Sequence, residues 1–120
     1  MCSLVLPMAY ERLVRKLTIE VLWLYIVKML LERPMYGYEI AKEFKSRFGF
    51  SPARITIYTV LYRMEKEGLL RSEYRGGLLS ALGRRYYRLT EKGVEAFERA
   101  KRFLEEVAKV LFGEGLARKD

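Results

Sequence analysis

The chain contains no histidine and a single cysteine, Cys2, in 120 residues. Protein zinc and haem sites are assembled mainly from these two residue types, so no intrachain site of either kind is expected. One thiol also excludes an internal disulfide framework and fits a reducing compartment. Asparagine and glutamine are absent, and the only aspartate is the terminal Asp120. Depletion of thermolabile amides beside abundant Glu, Lys and Arg is the composition expected of a thermophile protein. No long apolar run occurs either. The longest, Ile19 to Leu31, is interrupted by Glu20 and Lys28 and is too short to span a bilayer. At the N-terminus, Pro7 and Glu11 intervene before an apolar signal-peptide core could form. Catalytic groupings are missing as well: no carboxylates pair outside helix faces, no glycine loop suits a phosphate, and no serine sits in an elbow motif. Glu65-Lys66-Glu67 and Glu105-Glu106 read as solvated helical faces. The expectation is a soluble, cytoplasmic protein that is not an enzyme and needs no cofactor, metal or membrane.

What is present is half apolar residues and a strong positive charge, 51% and +8. A chain of this length folds as one domain that buries roughly two-thirds of the surface its unfolded form exposes. The charge is uneven. Residues 1–50 hold eight Lys/Arg against five Glu, residues 51–88 eight against three, and residues 89–120 seven against seven acidic groups. A positive field concentrated in the middle third points to nucleic acid, with an anionic membrane surface as the weaker alternative.

Periodicity divides the chain into successive elements. A first helix is expected over Met8 to Lys16, and a second over Thr18 to Glu32, stopped before Arg33-Pro34. After Gly37, Ile40, Ala41, Phe44 and Phe48 recur at helical spacing, and Gly49 ends the stripe. Ser51 is expected to cap the next helix, with Pro52 at its first position and Gly68 beyond its end; its buried stripe is Ile57, Val60, Leu61 and Met64. The period then falls from 3.6 to 2. Leu70 to Arg75 and Arg84 to Leu89 alternate as strands, and Gly76 to Gly83 join them as a hairpin. Thr90 is placed to cap a long last helix. That helix repeats apolar residues at Phe97, Ala100, Leu104, Val107 and Leu111, and again at Ala96, Phe103 and Val110. A face this wide suggests a partner beyond the chain's own core, the alternative being that it folds back on its own domain.

This order is that of a mainly α protein with a small β-hairpin wing, a winged helix-turn-helix. Residues 18–90 would form the DNA-binding domain, residues 1–17 an N-terminal helical extension, and residues 91–120 a dimerisation helix and short tail. In such a domain Ser51 to Glu67 would be the recognition helix. Arg54, Ile55, Tyr58, Thr59, Tyr62 and Arg63 lie just outside its buried stripe and interleave basic with aromatic groups. Arg54 occupies a first helical turn, where the helix dipole disfavours a cation by a few tenths of a kcal/mol, so helix stability does not explain it. Phosphates would be anchored by Arg63, Tyr58 and the Ser51 hydroxyl, while Arg54 and Thr56 are best placed for base edges. The bland alternative is a set of solvated arginines and half-packed tyrosines. With no Asn or Gln, bidentate adenine recognition is unavailable, leaving Arg to guanine, hydroxyls, and methyl contacts from Ala53, Ile55 and Thr56 to thymine. Arg75, Arg84, Arg85 and Arg88 would contact flanking phosphates from an outer wing face shared with Tyr86. Leu78, Leu79 and Leu82 at the wing tip either pack on the hairpin or a neighbouring subunit, press into the minor groove as an apolar wedge, or belong to a disordered tip.

Three stretches, "RPMYGYEIAKEF" (Arg33 to Phe44), "TIYTVLYRMEKEGLL" (Thr56 to Leu70) and "GRRYYRLTEKG" (Gly83 to Gly93), together resemble successive signatures of the PadR family of transcriptional regulators. The resemblance implies a winged-helix fold, a homodimer built largely from terminal helices, and repression relieved by a small molecule. It aligns Tyr58 with the family's recognition-helix tyrosine and Gly83-Arg84 with the start of its second wing strand. Where the family often has Gly-Thr-Leu-Tyr-Pro, this chain has Ile55-Thr-Ile-Tyr-Thr59, a bulkier contour. Small members bind flat aromatic compounds between dimer helices, which would make Trp23 a ligand-lining residue; as core or dimer interface it needs no ligand. Phe97, Leu104, Val107 and Leu111 are the expected dimer contacts. A two-fold dimer spaces two recognition helices about one DNA turn apart. The alternative function is a winged helix that binds an acidic protein partner, or an architectural DNA-binding module without an effector.

Overall fold

A computed structural model of the chain describes residues 7–76 and 84–113. Leu78, Leu79 and Leu82 lie outside the described residues, so the readings of the wing tip stand as sequence expectations. Helix α1 (Met8–Lys16) is followed by a 3-10 turn (Ile19–Val21), α2 (Leu22–Leu30), a short strand β1 (Met35–Tyr36), α3 (Gly37–Phe48), α4 (Arg54–Lys66), the hairpin β2 (Leu70–Arg75) and β3 (Arg84–Leu89), and α5 (Glu91–Phe112). The strands form an antiparallel sheet in the order β1-β3-β2. No described helix is long and apolar enough to cross a membrane.

The core lies where α2, α3 and α4 converge on the sheet. Ile26, Val27, Ile40, Phe44, Ile57 and Leu61 are wholly removed from solvent. Each sits at the helical spacing that turns one face inward, so burial of these stripes, at roughly 1.5–3 kcal/mol for each large side chain, holds the three helices together. Met35 joins them because β1 pairs Met35 with Tyr87 of β3 and so points its side chain inward. An aromatic cluster closes the open end: the Tyr25 ring packs edge-on against Phe48 at 5.0 Å and Phe50 at 5.2 Å. Burial raises the Tyr25 phenol pKa, and the protonated hydroxyl donates to the Leu17 carbonyl.

Three sequence expectations are corrected. The helix expected over Thr18 to Glu32 is broken: Thr18 donates its hydroxyl to the Val14 carbonyl at 2.7 Å, closing α1, and the chain turns through Ile19–Val21 before α2 begins. Ser51 does not cap α4, and Pro52 is not its first residue. The helix begins at Arg54, with Ala53 at the N-cap and no side-chain cap, because Ser51, Pro52 and Ala53 run outside the helix as the connection from α3. Strand β1 was not expected at all. Two residues are too few to show an alternating pattern, and their pairing with β3 is a tertiary contact.

The junctions explain how the outer elements are held. Gly49 ends α3 in the left-handed region, φ 82°, where a side chain is disfavoured. Thr90 accepts from the Gly93 backbone N–H at 3.1 Å and donates to the Gly68 carbonyl at 2.6 Å, which caps α5 and ties its start to the end of α4. Beyond this anchor α5 leaves the body. Ala96 and Phe97 pack on the core, whereas Phe103, Leu104, Val110, Leu111 and Phe112 are exposed and Val107 is half-buried. Helix α1 buries no residue, leaving Met8, Leu13, Val14 and Leu17 exposed. Only the first turns of α5 fold their apolar residues back on the domain; its remaining stripe and that of α1 stay exposed.

Arg47 links the ends of α2 and α3. Its guanidinium donates to both carboxylate oxygens of Glu32, at 2.7 and 2.9 Å, and to Glu43 at 2.6 Å. The hydrogen bond from Arg47 holds the Glu32 carboxyl below the usual carboxylate range, against a smaller opposing effect of desolvation. A depressed carboxylate pKa stabilises the folded state above the unfolded pKa, and that contribution is lost as pH falls through the folded value. Acid titration of stability should therefore show a decline below about pH 4 that is shallower in Arg47→Ala; equal slopes would remove Glu32 from the acid dependence. At Gly37, a methyl group would meet Cε1 of the Tyr58 ring inside contact distance. Gly37→Ala is expected to cost about 1 kcal/mol in urea denaturation, overpacking outweighing the few tenths that alanine gains in a first turn. A neutral variant would mean that the Tyr58 ring gives way freely.

Candidate nucleic-acid interface

The outward surface of α4 follows from its seam. Because Ile57, Leu61 and Met64 are locked into the core, the residues between them are turned out. Ile55 is 73% exposed and Tyr62 62%, with Arg54, Tyr58, Thr59 and Arg63 also at the surface. The bulk of Ile55 in place of a glycine thus stands in the exposed contour. Neither Arg54 nor Arg63 forms a salt bridge among the described residues, so both present free charge.

The predicted site residues divide between two flanks of this helix. On one, Tyr58, Arg84 and Arg85 line an open groove of about 450 Å³ together with Tyr36, Gly37, Tyr38 and Tyr87. Gly37 permits the Tyr58 ring to lie against the start of α3. The Arg54 guanidinium rests over the Tyr38 ring, 5.0 Å from its centroid, which holds it beside this groove. On the other flank, Thr56, Thr59 and Arg63 line an open groove of about 800 Å³ with Trp23, Ile19 and Glu20. Thr56 is half-buried there, and Thr59 spends its hydroxyl on the Ile55 carbonyl at 2.9 Å. Arg54 and Thr56, paired as base readers by sequence, therefore face different ways. Ser51 is exposed in the connection before α4.

The wing arginines also separate. Register places Arg75 opposite Arg84, Glu73 opposite Tyr86 and Arg71 opposite Arg88, so these side chains share one face. Arg85 pairs with Tyr74 on the other face, where its guanidinium donates to the Ser72 hydroxyl at 3.1 Å. The single outer face expected for all four arginines is corrected accordingly, since β-strand alternation cannot put Arg84 and Arg85 on the same side. Glu73 lies 3.0 Å from Arg75 and 4.0 Å from Arg88, which tempers two of these charges. Arg84 has a ring instead: its guanidinium lies 4.4 Å from the Tyr36 centroid.

Tyr36, Tyr38 and Lys42 escaped the sequence reading of the site. Tyr38 carries Lys42 at 5.8 Å as well as Arg54. The available signal was the pair of tyrosines flanking Gly37 in "MYGYE", where a glycine between two large rings marks a close approach. Among the described residues no group of His, Cys, Asp or Glu is arranged to hold a metal ion.

Comparison with known proteins identifies the family. The family model described as the transcriptional regulator PadR-like family matches residues 26–99. The transcriptional regulator Rv3488 of Mycobacterium tuberculosis is 34% identical over 90 residues, covering 75% of this chain and 81% of that protein. A PadR family transcription regulator from Clostridium difficile superposes with a TM-score of 0.64 at 36% identity, over 76% of this chain and 97% of that one. Bacillus subtilis PadR, solved in complex with operator DNA, gives a TM-score of 0.61 at 25% identity over 68% of this chain and 47% of that one. The family is one of regulators rather than enzymes, and its model covers α3, α4, the wing and the anchor of α5. A winged helix-turn-helix fold with this match over most of its length places the chain in the PadR-like family of transcriptional regulators.

Proposed function

We propose that the chain is a sequence-specific DNA-binding regulator that acts as a homodimer on an operator of two half-sites, and that it is a repressor answering to a small molecule. The observation that carries the DNA reading is the groove in which Tyr58 of α4, Tyr36 and Tyr38 of the α3 entrance, and Arg84 and Arg85 of the wing converge. Neither Arg84 nor Arg85 forms a salt bridge among the described residues, and guanidinium groups beside tyrosine hydroxyls suit a phosphate backbone, with α4 then presented to the major groove. The operator complex of the B. subtilis relative supports the same use of the fold. Residues 18–90 act as the reading domain in this proposal.

Dimerisation rests on the terminal helices. Phe103, Leu104, Val110 and Leu111 of α5, with Met8, Leu13 and Val14 of α1, are exposed apolar side chains, and surfaces of this kind are where protein partners dock. Leu104, Val107 and Leu111 are the contacts assigned to this interface, whereas Phe97 packs on the chain's own core and borders it. The effector reading is supported by Trp23, which is half-buried and lines the larger groove with Thr56, Thr59 and Arg63. A flat apolar molecule lodged there would touch the helix that meets DNA.

Arg54 and Arg63 are assigned different tasks. Arg54→Ala is expected to relax base preference while leaving random-sequence affinity nearly intact. Arg63→Ala should weaken all duplexes alike and reduce the salt slope by about 1. Binding isotherms on a selected and a random duplex at several salt concentrations measure both, and equal losses on the two duplexes for both variants would refute the division.

A further inference from the structure

Six side chains make an unbroken series from the wing to the recognition helix. The Arg75 guanidinium lies 4.5 Å from the Tyr86 ring centroid. Tyr86 meets Tyr36 edge-on at 5.5 Å, and Tyr36 carries Arg84 at 4.4 Å. Tyr36 in turn stacks with Tyr38, 6.4 Å between centroids and 23° between planes, and Tyr38 carries Arg54 at 5.0 Å. Every cation in the series lies within the roughly 6 Å over which a ring face attracts it. The series crosses β2, β3, β1, α3 and α4.

Backbone register holds the middle of the series in place. Pairing of Tyr36 with Tyr86 fixes both rings on the same face of the sheet. Tyr38 follows in the first turn of α3, one residue beyond the glycine against which Tyr58 packs. The cations at the two ends repel one another, and without the rings their long side chains would sample many rotamers in water. A ring face under each guanidinium limits that sampling before any ligand arrives, and so lowers the ordering cost of binding.

We propose that Tyr36 and Tyr38 are positioning residues that couple the wing to the recognition helix. Their rings orient Arg84 and Arg54 together, so that the phosphate-anchoring arginine and the base-reading arginine engage a duplex as one unit. Loss of either cation releases its ring, and the other cation is then less well held. The inference rests on the reading that Arg54 and Arg84 both touch DNA, and its test separates the two.

The test is a double-mutant cycle between Arg54→Ala and Arg84→Ala, read as affinity for a duplex selected from a random pool by the parent protein. It is run in the parent, Tyr36→Leu, Tyr36→Phe and Tyr38→Leu backgrounds, with folding checked by circular dichroism. In the parent, the double variant should lose less affinity than the product of the single losses, by about three-fold, the size of one exposed cation–π contact. The shortfall should persist in Tyr36→Phe, which keeps the ring, and vanish in Tyr36→Leu. Tyr38 is largely at the surface, so Tyr38→Leu gives the same reading if Tyr36→Leu does not fold. Single losses that multiply in the parent, or a shortfall that survives Tyr38→Leu, would overturn the coupling while leaving the contacts intact. Single variants that bind like the parent would overturn the contacts and the coupling together.

Discussion

Everything on the exposed side of this protein depends on the seam of α4. Ile57 and Leu61 are fully buried and Met64 nearly so, packed where α2 and α3 converge. That seam fixes the rotation of the helix about its own axis. A rotation of one residue, about 100°, would bury Tyr58 or Tyr62 and expose an isoleucine to water, at a cost of a few kcal/mol of lost burial. With the rotation fixed, Arg54 and Tyr58 are committed to the wing side and Thr56 and Arg63 to the Trp23 side. The surface proposed to read DNA is therefore a consequence of core packing rather than of any interaction at the surface itself.

The second organising feature is how little of the terminal helices the core claims. Thr90 and Gly93 fasten the first turn of α5 to the end of α4, and Ala96 and Phe97 continue the core for one further turn. From there Phe103, Leu104, Val110 and Leu111 form an apolar stripe facing water. Helix α1 is amphipathic with no buried residue, joined to the body by Tyr25 and the Thr18 turn. Apolar area of this kind is stabilised when a second surface covers it. In the proposed homodimer that surface is the same pair of helices from another copy, and their rigid attachment would set the distance between two α4 helices. Dimer geometry and operator spacing are thereby one property.

Much of this was legible in the sequence where a single period governs a long segment. The bounds of α1 and both hairpin strands coincide with those expected, and of the expected stripes of α3 and α4 Ile40, Phe44, Ile57, Leu61 and Met64 are buried while Ala41, Phe48 and Val60 are half-buried against the core, because each is a local pattern imposed by one buried face. Family membership was legible for a related reason: the three motifs are the stretches where packing and contact requirements overlap. What could not be read depends on contacts between elements. The start of α4 was misplaced because serine followed by proline satisfies local capping rules, yet the chain needs those residues to leave α3. Strand β1 exists only through β3. The separation of Arg84 from Arg85, and of Arg54 from Thr56, required the register of the sheet and the rotation of the helix. Tyr36 and Tyr38 were overlooked because the role proposed for them comes from the cations that other elements bring to them.

The central claim is that two copies of this surface read DNA together. Footprinting of the purified protein on a duplex it selects from its own genome, with the mass of the complex measured on the same sample, tests it most directly. Two protected, symmetry-related half-sites about one helical turn apart, bound by two chains, are expected. A single protected patch bound by one chain, or affinity that does not distinguish the selected duplex from random sequence, would contradict it.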